Sequence, residues 1–392
     1  MNPPAIVNTS RFRPFIYAAI AYLLILQIGA LALNVPRGLT GDGDLPSFYR
    51  AGLMVRSGQG RNLYNVGAQI RYEHLFLPHR DRPIQIYYHP PFEALPLVLL
   101  TQLSYKDAFW VWSAAGVGAL LLGARALAPE LQNLSVAAGA PIWLIFLCFF
   151  PVANTILQGQ DSLFLFVLLA FAYREFRSKR ELRAGVLLGL ALFKFQYIAP
   201  LVFILAFLRW RPRLLFSCGV TALFLAGISW AQMGTSGLLA YWHLLGHHYV
   251  EQNRQMPDLR GLVLTLGGNR AIVIGLSLAV AVWCGLRKAP SLPAEFSAAL
   301  VAAALVSYHM HIYDMSILLI PLAVTLDAIL KDQAWKRLLL PGLFWITPLY
   351  GLLLHTNLYV LLSLPLLGLL YAIPIWLSAN AASTASVPVL SK

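Results

Sequence analysis

Gly41-Asp-Gly-Asp-Leu-Pro-Ser-Phe-Tyr-Arg-Ala-Gly52 follows closely on the first long apolar run of the chain, Pro14 to Leu33. The pairing of the two decides the class of fold. The apolar run has the roughly 20 residues that carry a helix across a bilayer. No convincing small-residue cleavage site follows, so it is expected to remain as a span rather than leave as a signal. The stretch beyond it holds two of only 16 acidic residues in 392. Asp44 stands where the N-cap of a helix Leu45 to Val55 would stand, with Asp42 in the glycine-rich turn before it. A carboxylate pair at the mouth of a membrane bundle is also a candidate catalytic site, and capping and catalysis are compatible.

Composition carries the membrane reading through the rest of the chain. It is 59% hydrophobic and 11% charged, with a mean hydropathy of +0.67, whereas soluble domains average about 25% charged residues. The net charge of +13 arises from basic residues clustered between apolar segments. Anionic lipid headgroups and phosphate are therefore the expected partners, and nucleic acid is not. Cys148, Cys218 and Cys284 lie within apolar runs with neither disulfide nor zinc spacing and read as small core residues. The whole of residues 1–392 is expected to form a single integral membrane domain, with residues 35–88 as a loop outside the cytoplasm. Two short amphipathic helices, about 45–56 and 66–76, are expected in that loop. The first sets Phe48, Ala51, Leu53 and Val55 among Arg50 and Arg56, the pattern of a helix lying on the membrane surface.

Further spans read as Ala108 to Leu127 and about 135–151, 161–174, 182–193, 197–209, 214–232, 270–286, 294–308, 312–330, 338–353 and 357–377. Several fall short of a straight crossing, so tilted or broken helices are expected. Basic clusters at 174–183, 209–213, 287–288 and 331–337 are each two crossings apart, and with Arg11 and Arg13 all can lie in the cytoplasm. The run Ala94 to Leu103 breaks this parity if it crosses. It therefore reads as re-entrant or surface-lying, leaving about 12 crossings in an all-α bundle. Parity collects the remaining polar stretches on the outer side with Asp42 and Asp44. They are Gln158-Gly-Gln-Asp161, Lys194-Phe-Gln196, the loop Tyr241 to Arg260, and Ser307-Tyr-His-Met-His-Ile-Tyr-Asp314. Ionisable groups at span ends usually line a cavity or pathway, so the active side is expected to face outward.

The order of these stretches resembles the family-87 glycosyltransferases, polytopic enzymes of the GT-C superfamily. The resemblance rests on Asp44-x4-Tyr49-x-Ala51-Gly52, Gly58, Leu63-Tyr64 and Tyr88-x-Pro90-Pro91-Phe92. It continues through Gly159-Gln160-Asp161, Ala184-Gly185, Leu188-Gly189, Leu192, Lys194, Pro200 and Arg209-Trp-Arg211, to Ser307-Tyr-His309-Met-His311. It implies transfer of a sugar, usually mannose, from a polyprenyl-phosphate sugar to a lipid or glycan acceptor on the outer face of the cell (inner) membrane. By the same resemblance Asp44 is the catalytic base.

The residues fit such chemistry on their own terms. Glycosyl transfer from a phospholipid donor needs a base for the acceptor hydroxyl, cations for the departing phosphate and a groove for the prenyl chain. Partial burial can raise a carboxylate towards the working pH. Asp44 suits the role, with Asp42 its rival, and a close pair could act jointly. Lys194, Arg260, His309 and His311 are the candidates for the phosphate. A lysine snorkelling to the interface is the plainer reading of Lys194, and ordinary interfacial imidazoles that of the histidines. Gln158 and Gln160 suit sugar hydroxyls or helix ends. Tyr49, Tyr64, Tyr87 and Tyr88 suit either sugar stacking or an aromatic belt. His243 and His247 stand at i, i+4 without a zincin-type Glu, so neither a metal nor a cofactor is expected. A transporter of a lipid-linked or anionic substrate is the rival reading. Against it stand the absence of a convincing inverted repeat and the gathering of charge at one interface.

Overall fold

A computed structural model describes residues 13–78, 83–248 and 256–377. Among the described residues every regular element is helical. Six helices among the described residues are long and apolar enough to cross a membrane: Arg13–Leu39, Tyr105–Glu130, Glu181–Phe207, Pro212–Gly246, Tyr313–Lys331 and Tyr359–Trp376. A bent pair, Trp335–Trp345 and Thr347–His355, would make a seventh, and Arg270–Leu286 and Leu292–Val306 are shorter apolar helices. This length count falls below the twelve crossings expected, because several apolar runs are broken. Residues 135–151, for example, are divided among Gln132–Ala138, Ile142–Leu147 and Phe150–Gln158.

The middle of the bundle is Leu292–Val306 followed by Tyr313–Lys331, both buried along almost their whole length. Ser162–Arg177 packs between Tyr105–Leu127 and Glu181–Leu190, which in turn lies against Pro212–His248. That last helix carries non-helical backbone at Gly234 and runs on to His248, so the loop expected from Tyr241 begins later. The run 94–103 forms only short helical turns, Ala94–Leu97 and Leu100–Gln102.

The stretch of residues 35–88 differs from expectation in one respect. Its helices, Leu45–Arg56 and Val66–Glu73, are where the periodicity puts them, but the first does not lie on a membrane surface. It is buried within the protein from Leu45 to Gly52, and Arg50 is fully enclosed. The guanidinium donates to the Glu73 carboxylate, to Gln69 Oε1 at 2.9 Å and to the Gln85 carbonyl. An arginine reaches such a position only when a carboxylate and further acceptors meet its fixed fork. Arg50 thus clamps the two helices together and holds the floor under Asp44.

Candidate active site

The Gly-Asp-Gly-Asp turn is docked against the end of the helix Phe150–Gln158. The Asp44 backbone N–H donates to the Gln158 carbonyl at 2.7 Å. Contact this close requires two glycines. A Cβ on Gly43 would sit 3.0 Å from the Gln158 oxygen, and one on Gly159, whose φ is +66°, would sit 2.5 Å from the Leu45 Cβ. Asp44 occupies the N-cap position of Leu45–Arg56, but its side chain caps nothing. Its Oδ2 instead accepts a hydrogen bond from the Gln160 amide, so the capping role considered from the sequence does not hold for the carboxylate. Burial raises the Asp44 carboxyl above the usual aspartate range, opposed by the Gln160 hydrogen bond and the positive charge of Lys194.

Gln160 is held from its other end by Lys194, whose Nζ donates to Oε1 at 3.0 Å. The lysine therefore fixes the amide so that its NH2 faces Asp44. Lys194 sits at a break. The helix from Glu181 tightens through Ala191–Lys194, and Lys194 itself, at φ −109° and ψ 57°, leaves helical geometry before Phe195–Val202 begins. Irregular backbone at membrane depth is tolerated where protein encloses it, and Lys194 is 3% exposed. The snorkelling reading is thus wrong. The ammonium is buried between Asp161 Oδ1 at 2.9 Å and Asp314 Oδ1 at 3.1 Å. Together with Gln160, these acceptors match its three N–H donors.

Asp314 follows a second break, residues 307–312, and sits in the first turn of the helical segment that starts at Tyr313. Ser162 Oγ donates to its Oδ1 at 2.8 Å and the His311 backbone N–H to its Oδ2 at 3.1 Å. The imidazoles of His309 and His311 meet edge to face, with ring centres 4.4 Å apart. Burial lowers the His309 pKa to about 3, with the neighbouring His311 acting in the same direction, and burial lowers that of His311 as well. At neutral pH both are uncharged, so they can offer hydrogen bonds but not positive charge to a phosphate.

Tyr88, His89, Gln160, Lys194, Arg260 and His309 lie on the wall of a cavity of about 140 Å³. Arg260 reaches it from the helix Leu259–Thr265 and donates to the Tyr308 carbonyl at 2.6 Å. Beside it lies an apolar groove of about 400 Å³, lined by Phe92, Trp112, Phe164, Leu190 and Leu225 together with Glu93 and Asp161. Phe193 borders both spaces. Asp44 stands behind the cavity lining, in contact with it through Gln160.

Not every sequence candidate converges here. Asp42 is half-buried and stands outside the lining, its backbone N–H bonded to the Arg37 carbonyl. Gln158 contributes its carbonyl to the Asp44 turn, not its side chain to the cavity wall. The Tyr49 hydroxyl donates to the Leu103 carbonyl at 2.8 Å and its ring packs on Phe76, so it supports the fold of residues 35–88 instead. His243 is exposed on its helix, and the side chains of His247 and His248 lie outside the described residues. Conversely, Asp161, Asp314, His89 and Glu93 belong to the cluster although the sequence did not single them out as site residues. The available signal was their rarity: three are among the 16 acidic residues, and Asp161 and Asp314 fall in stretches that parity places outside.

Fold and site together define a polytopic, all-helical membrane protein whose scarce ionised side chains meet at breaks between helices. Residues 87–310, more than half the chain, match the sequence profile described as Glycosyltransferase family 87, and the chain belongs to that family. It is a membrane glycosyltransferase, and the transporter reading falls away. Asp44 lies upstream of the matched residues. No curated protein and no solved structure matches the chain.

Proposed function

We propose that the protein moves a hexose, with mannose the leading candidate, from a polyprenyl-phosphate sugar to a lipid or glycan acceptor. The transfer takes place on the outer face of the cell (inner) membrane, within a GT-C-type bundle of about twelve crossings, some of them broken helices. Asp44 takes the proton from the acceptor hydroxyl while the acceptor oxygen bonds the anomeric carbon. The bond from that carbon to the phosphate oxygen breaks, and polyprenyl phosphate departs. The observation that carries this reading is the Asp44–Gln160–Lys194 chain, in which Gln160 and Lys194 lie on the wall of a polar cavity that adjoins an apolar groove and Asp44 stands directly behind Gln160. The groove suits a prenyl chain, the cavity suits a sugar, and the charged cluster between them suits the phosphate. Arg260 and Lys194 supply positive potential there, while His309 and Tyr88 offer donors and a ring to the sugar, with His311 packed behind His309.

The test is to incubate purified protein with a panel of polyprenyl-phosphate sugars and membrane lipid extract, following loss of the lipid-linked sugar. The parent protein should consume one of them, and Asp44→Asn should not. Unchanged turnover in Asp44→Asn would reject the base. If no lipid-linked sugar is consumed, the donor class is wrong.

A further inference from the structure

The charge in the site does not balance. Four carboxyls, Asp44, Glu93, Asp161 and Asp314, face two cations: Lys194, which contacts two of them and donates to Gln160 as well, and Arg260 on the cavity wall. Taking an uncompensated charge out of water is costly, and an anionic phosphate would add to the excess. Lys194 can hold that phosphate only by giving up one of its present acceptors. The histidines bring no charge at neutral pH.

One corner of the cluster is built for a cation. Glu93 follows His89 by four residues, and its Oε2 is 2.8 Å from His89 Nδ1. Asp161 Oδ2 is 3.5 Å from the same nitrogen. The ligand atoms of all three lie within 4.8 Å of one another. Bonds of about 2.0–2.2 Å to one ion place neighbouring ligand atoms about 3–3.5 Å apart. Glu93 is more than nine-tenths buried, yet neither of its oxygens accepts a hydrogen bond from a described residue. Asp161 turns Oδ1 to Lys194 and leaves Oδ2 without a donor among the described residues. Buried carboxylate oxygens are normally satisfied. Here they converge on one point together with an imidazole nitrogen.

We propose that His89, Glu93 and Asp161 bind a divalent cation of the manganese or zinc type. One imidazole with two carboxylates suits these ions, and three protein ligands leave coordination positions open. Resting on the function proposed above, an oxygen of the donor phosphate fills one of them, so that the cation joins an acidic pocket to an acidic substrate. The rival occupant is a proton shared by Glu93 and Asp161. Burial, aided by the charge of Asp161, pushes the Glu93 carboxyl well up, as a shared proton would require.

The experiment needs no donor and no turnover. Chelator-stripped full-length protein in detergent is titrated with Mn2+ and followed by electron paramagnetic resonance. One ion per chain should bind, Zn2+ should displace it, and addition of either ion should raise the melting temperature. Glu93→Gln should lower Mn2+ affinity at least tenfold and abolish the thermal shift. His89→Gln, at a side chain 19% exposed, gives a second reading should Glu93→Gln misfold. Asp44→Asn should bind Mn2+ like the parent, so loss of transfer and loss of metal are separable. The proposal is overturned if the parent binds neither ion, or if both ligand variants bind Mn2+ as the parent does. A melting temperature raised by Glu93→Gln without added metal would establish the shared proton in its place.

Discussion

Asp44 and Lys194 were legible as single residues because ionised groups are scarce in an apolar chain, so each demands a reason. What the sequence could not supply was distance. Asp161 and Asp314 fell in polar stretches already placed outside, but nothing in their spacing says that both touch Lys194. Two predictions belong at this scale. The first concerns pH. A base acts when deprotonated, and burial raises the Asp44 carboxyl, so a larger share is protonated at any given pH. The acidic limb of kcat/KM should therefore lie above the usual aspartate value of about 3.9. Gln160→Ala removes a hydrogen bond that lowers this pKa, so the limb should move to still higher pH; movement to lower pH would contradict the assignment. The second concerns Lys194→Met, which leaves two buried carboxylates facing each other. Breaking such a pair costs about 3–5 kcal/mol, and the melting temperature in detergent should fall accordingly. Adding Asp314→Asn should restore part of the stability but not transfer. A single variant as stable as the parent would mean that the lysine is not holding this cluster together.

At the level of elements, the site is assembled from interruptions. Gly159–Asp161 separates two helices, Lys194 breaks a third, and residues 307–312 separate the two central ones. Hydrophobic periodicity marked where apolar runs stop, which is why the polar stretches were visible. It could not distinguish a true loop from a tight helical turn: Lys194-Phe-Gln196 read as a polar stretch between spans 182–193 and 197–209, whereas helical turns continue through Ala191–Lys194 into Phe195–Val202. Nor could it see that Arg50 meets Glu73, since two charged residues 23 apart on amphipathic helices read equally well as a solvated face. The tightest junction is that of Gly159 with Leu45. An alanine there meets both a positive φ, which costs about 1–2 kcal/mol, and a Cβ contact of 2.5 Å. The Asp44 turn must then move away, and a displacement on the order of 1 Å can cost about 100-fold in rate. Gly58→Ala is the matched control: its φ is +71°, with nothing within 4 Å of the added Cβ. Both variants should lose a little thermal stability, but only Gly159→Ala should lose most of its transfer activity. Equal losses in the two would show that the junction does not position the base.

For the whole molecule, the number of crossings separates the sequence reading most from the length of the observed helices. Length alone undercounts a bundle whose spans are broken. Residues 132–158 form three short helices, none able to cross alone, yet their path can be followed against one long helix. Near its beginning, Asn133 Nδ2 and the Leu134 N–H donate to Asp327 at 2.9 and 2.8 Å. Near its end, Thr155 Oγ1 donates to the Tyr313 carbonyl at 3.0 Å. Residues 313 and 327 belong to the span Tyr313–Lys331, and 14 residues of helix rise about 21 Å. The broken run therefore travels most of the depth of that span, antiparallel to it, as a crossing would. That path matters for sidedness, because it adds the third crossing between the Asp44 loop and the basic cluster at residues 174–183, after Tyr105–Glu130 and before the 16-residue helix Ser162–Arg177. With three, the loop lies outside and the cluster in the cytoplasm, as the positive-inside bias requires. With two, they would share a side. After replacement of the three buried cysteines, single cysteines at exposed Gln59, Lys179 and Lys336 decide between these. A membrane-impermeant maleimide applied to intact spheroplasts should label Gln59→Cys, and should reach Lys179→Cys and Lys336→Cys only after permeabilisation. Labelling of Gln59→Cys and Lys179→Cys from the same side would remove the third crossing, and with it the outward-facing site on which transfer from a lipid-linked donor depends.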